Sequence, residues 1–124
     1  MTRINTGIKP TELPDKLLLA ELREIKRIPN VVKSGRYNLE NVPETFRLGV
    51  GHVKFFYSRG AYTLNRYKEL RLEALKRGFN VADFSGAWDN YPQELFNNYT
   101  PTEKARELLV HRIENERGFN LITQ

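Results

Sequence analysis

A chain of 124 residues, 40% hydrophobic and 28% charged, is one domain large enough to bury a core without staples. It has no cysteine, which excludes a disulfide framework and a cysteine-ligated metal site. Its 20 Lys and Arg against 15 Asp and Glu leave a net charge of +5, so nucleic acid is a candidate partner; no apolar run approaches the ~18 residues that span a membrane.

The N-terminus, Met-Thr-Arg-Ile-Asn, lacks the apolar core of a signal peptide. The expected location is therefore the cytoplasm, of a bacterium or of a phage-infected host. Residues 2–10 have no helical period and end in Pro10, which predicts an extended arm. Thr11 is the expected N-cap of a first helix, with Pro14 in its first turn. That helix is expected to reach about Val32, with Leu18, Leu22, Ile25 and Val32 as its buried stripe and a kink or an end at Pro29. Residues 34–48 read as a loop. In GVGHVKFFYSRG (49–60), VKFFY comes nearest to a strand, but no segment alternates convincingly.

A second helix is expected from about Ala61 to Arg77, with Leu64, Tyr67, Leu70 and Ala74 on one face and Gly78 as its stop. Residues 79–99 read as a long loop carrying Trp88, Tyr91, Phe96 and Tyr99. Thr100-Pro101-Thr102-Glu103 predicts the start of a last helix: an N-cap, Pro at the first position and a capping-box Glu. Ala105, Leu108, Leu109 and Ile113 follow, and Gly118 closes it. The expected fold is all-α: a compact single domain over residues 1–124, with three main helices, long structured loops and no sheet, acting as a monomer.

On the first helix, Lys16, Arg23 and Arg27 form a basic edge suited to phosphates, and Glu24 lies between that edge and the apolar face. A solvated helix face looks the same. Glu21 and Glu24 are spaced i, i+3; such a pair is conceivable in a glycosidase but is more often incidental. Thr2 is small, so removal of Met1 would leave a free threonine amine. With a pKa of about 7.7–8.0, an α-amine is partly unprotonated at neutral pH and can attack a sugar carbon to give an imine. His52 and His111 are the only histidines and have no ligand-like neighbours; His52 reads as a structural histidine in a Gly-rich turn. Gly49-x-Gly51 is not a dinucleotide fingerprint, and Asp83 and Asp89 read as loop acids. No metal and no cofactor is expected.

Several blocks together say more: MTRIN at the start, LPDKLLLAELREIKR (13–27), TFRLGVGHVKFFY (45–57), LKRGFNVAD (75–83) and PQELFNNYTP (92–101). In this order and spacing they resemble the pyrimidine-dimer DNA glycosylase family, of the phage endonuclease V type. The resemblance implies a compact all-α enzyme acting on double-stranded DNA that carries ultraviolet-induced cyclobutane dimers. It implies Thr2 as the nucleophile and Glu24 as the catalytic carboxylate. Arg3, Arg23 and Arg27 would hold DNA near the lesion, and β-elimination at the abasic site would follow base removal. This chain departs from the family in three places. Leu17 stands where the family has a His, the linker after the first helix is shorter, and where the family's tail is aromatic and basic, GFNLITQ (118–124) has one Phe, no Trp or Tyr and no charge. A glycosylase or nuclease for another damaged or modified base therefore stays open, as does a DNA-binding module without catalysis.

Overall fold

The computed structural model describes residues 3–122. Its α-helices are α1 (Asp15–Glu24), α2 (Arg27–Ser34), α3 (His52–Tyr57), α4 (Gly60–Lys76) and α5 (Glu103–His111). A π-helical turn, Arg112–Glu116, prolongs α5. Short 3-10 turns stand at Pro10–Glu12, Ser85–Trp88 and Gln93–Leu95. Among the described residues there is no sheet, only an isolated antiparallel bridge between Arg59 and Phe96. The all-α expectation holds.

The expected first helix is two helices. Pro29 has no N–H to offer the carbonyl one turn back, at Ile25, and its ring crowds that carbonyl. The chain accordingly breaks at Ile25–Lys26 and restarts, with Pro29 in the first turn of α2, where an N–H is not required. The kink expected at Pro29 thus falls four residues earlier. Leu18, Leu22, Ile25 and Val32 are buried as the stripe predicts. Thr11 is not the N-cap: it lies inside the 3-10 turn, and Pro14 occupies the cap position instead of the first turn.

VKFFY belongs to α3, not to a strand. Gly51, at φ 87, turns the chain into that helix, and Phe55 and Phe56 are buried. Their rings meet edge to face at 5.1 Å and gather Phe46, Tyr62 and Tyr99 into one aromatic cluster. Helix α4 ends as expected at Gly78, whose φ of 90 lets the Phe79 N–H reach the Ala74 carbonyl and the Gly78 N–H reach that of Leu75. The start of α5 shifts by two residues: Thr102 is its N-cap, its hydroxyl accepting from the Ala105 N–H at 3.0 Å, and Thr100 and Pro101 lie outside the helix.

Helices α1 and α4 pack together at the centre, with Leu17, Leu18, Leu22 and Ile25 meeting the layer that holds Tyr67, Leu70 and Ala74. The long aromatic loop closes over α4: the Trp88 indole N–H donates to the Thr63 hydroxyl at 3.0 Å.

Candidate active site

Residues 3–9 form the predicted arm, but it is not a loose one. Ile4, Asn5, Thr6 and Ile8 are buried, and Ile4, Thr6 and Ile8 are fully so. A buried segment without regular structure must find partners for its backbone among side chains. Arg66 on α4 supplies two of them. Its Nη2 donates to the Asn5 carbonyl at 3.0 Å and its Nη1 to the Ile8 carbonyl at 2.5 Å. The same guanidinium grips Glu21 of α1 with two bonds, Nε to Oε2 at 2.8 Å and Nη2 to Oε1 at 3.0 Å. The Asn5 side-chain amide donates to Glu21 Oε1 at 2.8 Å. Arm, α1 and α4 are thus tied through one buried ion pair.

His52 holds the arm from the other side. The Ile4 N–H donates to Nε2 at 2.9 Å, so Nε2 carries no proton. The proton is on Nδ1, which donates to the Arg47 carbonyl at 3.0 Å. Burial pushes the imidazole pKa below its ordinary 6.5. The expected structural role of His52 is correct, and its main-chain partner lies two residues from Thr2. The Thr6 and Tyr62 hydroxyls also share a hydrogen bond. Thr2 itself lies outside the described residues.

Between the pinned arm and α1 lies a cleft of about 240 Å³. Arg3 and Asn5 of the arm line it, with Leu17, Glu21 and Glu24 of α1 and Arg117 beyond α5. Glu24 is the last residue of α1, and its side chain is 16% exposed, enough to meet a ligand without full solvation. Arg23 is 3.8 Å from it and largely exposed. The structure therefore brings Arg3 and Glu24 together. Arg23 lines a second cleft with Lys26 and Phe84, where the Lys26 ammonium sits 4.0 Å from the centre of the exposed Phe84 ring. Arg27 is exposed at the first position of α2, and Lys16 is exposed on α1.

Glu21 and Glu24 are not a catalytic pair. Glu21 also lines the cleft, but it is 2% exposed and committed to Arg66 and Asn5, whereas Glu24 is held by no buried ion pair. The sequence does carry a signal for the buried pair. Glu21 falls on the stripe of Leu17, Leu18, Leu22 and Ile25, and Arg66 falls on that of Tyr62, Tyr67, Leu70 and Ala74. An acid on one buried stripe and a base on another call for each other. Arg117 and the Lys26–Phe84 contact have no comparable signal, because neither is periodic with its neighbours.

Among the described residues no group of three or more His, Cys, Asp or Glu could hold a metal ion, and no helix is long and apolar enough to cross a membrane. A small basic helical domain, with a carboxylate set among arginines in a cleft, has the make-up of an enzyme working on a polyanion. The family model for pyrimidine dimer DNA glycosylase matches residues 1–85, from the N-terminus through α4. The chain belongs to that family, whose substrate is DNA.

Proposed function

We propose that the protein excises ultraviolet-induced pyrimidine dimers from double-stranded DNA and then cleaves the strand at the abasic site, with the Thr2 amine as nucleophile and Glu24 as the catalytic carboxylate. One observation carries this reading: Arg3, on an arm pinned at Ile4 and Asn5, lines one cleft with Glu24 of α1. Thr2 precedes Arg3 in the chain. The proposed nucleophile is therefore the chain neighbour of a residue that lines the cleft with Glu24.

The chemistry balances without a cofactor. The amine lone pair forms a bond to C1′ as the glycosidic bond breaks and its electrons leave with the base, which takes up a proton. The Glu24 carboxylate stabilises the positive charge that grows on the sugar. The ring oxygen then leaves C1′ as a hydroxyl, giving an iminium between C1′ and the threonine nitrogen. Loss of a C2′ proton sends its electrons into a C2′–C3′ double bond and expels the 3′ phosphate. Glu24 serves as the acid and base for these proton transfers. Arg3, Arg23 and Arg27 contact phosphates and hold the duplex. The enzyme acts as a monomer in the cytoplasm.

Leu17, 2% exposed at the floor of the cleft, favours a second reading in which the excised base is another damaged or modified one. Borohydride trapping separates the two. The mature protein should form a covalent complex on irradiated duplex and on an abasic duplex, but not on undamaged DNA. Trapping on the abasic duplex alone would support the second reading, and no trapping on either would leave a DNA-binding module. Glu24→Gln should slow base removal by about 10²–10⁴-fold while DNA binding persists. Full activity in that variant would refute the role of Glu24.

A further inference from the structure

His52 lies outside the cleft, yet it holds the main chain that leads into it. Its ring is 4% exposed and fixed edge-on by Phe46 at 5.3 Å and Phe56 at 5.6 Å. The Arg47 carbonyl fixes the Nδ1–H tautomer, and that tautomer leaves Nε2 free to accept from Ile4. Ile4 is one residue from Arg3 of the cleft. An imidazolium would present N–H groups at both nitrogens, and the Ile4 N–H would then face a donor.

We propose that His52 is the positioning residue of the nucleophile-bearing arm, and that only its neutral Nδ1–H form sets the arm for attack. The inference rests on the reading of Thr2 as nucleophile. The groups around the ring act in opposite directions. Burial and Arg3 oppose protonation, while the Glu21 carboxylate and the Arg47 carbonyl favour it. The bond to Ile4 adds to the opposition, because it exists only while Nε2 is unprotonated. His52 touches no reacting atom. Its effect runs through the backbone at residues 3 and 4, where a shift of about 1 Å is enough to lower a rate by roughly two orders of magnitude.

Two variants separate positioning from bulk stability. His52→Leu keeps volume and removes the acceptor, whereas His52→Gln keeps an amide oxygen that can accept from Ile4. In single-turnover trapping on an abasic duplex, His52→Leu should be slower by about 10- to 100-fold with duplex affinity within twofold of wild type. His52→Gln should recover most of that rate. A folded His52→Leu variant with the wild-type rate would overturn the proposal. If His52→Leu does not fold, nitrogen-15 spectra of the wild-type protein decide. At neutral pH, Nε2 should carry the shift of an unprotonated acceptor, and the Ile4 amide should move in step with protonation of the ring. A protonated Nε2 at neutral pH, or an Ile4 amide indifferent to ring titration, would overturn it. Trapping that survives acetylation of the N-terminus would instead remove the amine mechanism, whatever the His52 variants show.

Discussion

Two stretches of this chain look alike in sequence and behave as opposites. Residues 3–9 and residues 36–45 are both short of apolar periodicity and rich in turn formers, and neither forms a helix or strand. The arm is mostly buried; the segment 36–45 contains no buried residue. The difference lies in who satisfies the backbone. Water can serve the exposed segment, helped by local bonds such as Glu40 N–H to the Asn38 side chain and the Lys54 ammonium to the Glu40 carbonyl. The arm has no water to fall back on. Local bonds serve the N–H groups of Ile8 and Lys9, but the Ile4 N–H and the carbonyls of Asn5, Gly7 and Ile8 go to His52, Arg66 and Arg106, three side chains 48 to 99 residues away in sequence. A buried polar group without a partner costs about 1–3 kcal/mol. The arm is therefore as ordered as its side-chain partners make it.

The strongest way to break this contrast is Arg66→Met. The change leaves Glu21 buried with Asn5 as its remaining partner, removes the donor to the Ile8 carbonyl and leaves the Asn5 carbonyl with the Ile8 N–H alone. Removing one member of a buried pair costs about 3–5 kcal/mol, and a fall of that size in urea-unfolding stability is expected. Glu21→Leu in the same chain should restore only part of the loss, since the Ile8 carbonyl stays without Arg66 and the Asn5 side-chain amide loses Glu21. A loss below about 1 kcal/mol would show that the arm is held by apolar packing instead.

Periodicity made α4 and the body of α5 legible, because Tyr67, Leu70, Ala74, Ala105 and Leu109 repeat at helical spacing and all end up buried. It did not reveal the division at Ile25–Lys26. The apolar stripe runs on across the break, and the cause is a backbone clash one turn downstream, at Pro29. The site was legible in part. Arg3 and Glu24 come from the resemblance, and the structure joins them in one cleft. Arg117 belongs to the same cleft through the turn after α5, and no local pattern links residue 117 to residue 24. The arm's burial is hidden for a related reason. Its partners are single polar residues on distant helices, so it has no period of its own.

Glycine offers a paired test of the same contrast. Gly7 in the arm and Gly49 beyond the exposed segment share a positive φ, 81 and 71, so alanine is strained at both, by about 1–2 kcal/mol. Their surroundings differ. A Cβ on Gly49 meets nothing within 4 Å, whereas one on Gly7 comes within 3.1 to 3.3 Å of the Cβ, Cα and N of Arg106 in α5. Backbone of a helix cannot swing aside as a side chain can. Gly7→Ala should therefore lower stability by roughly 1 kcal/mol more than Gly49→Ala, and only Gly7→Ala should slow borohydride trapping. Equal losses in the two variants would mean that α5 yields freely to the arm.

The smallest effect concerns the ion pair at the far end of the arm. Arg106 donates to Glu12 at 2.7 and 2.9 Å and to the Gly7 carbonyl at 3.0 Å, with a third of its side chain exposed. A pair this open to solvent contributes about 1 kcal/mol at most. The Arg106 guanidinium holds the Glu12 carboxyl below its ordinary 4.5. A depressed carboxylate adds stability that is complete above the unfolded value and disappears as pH falls through the folded one. Arg106→Gln should thus lie below wild type at pH 7, and the gap should narrow as urea titrations move down through pH 4.5. It should not close fully, because the bond to Gly7 depends on no carboxylate. A gap unchanged down to pH 3 would assign the whole contribution of Arg106 to the arm's carbonyl and none to Glu12.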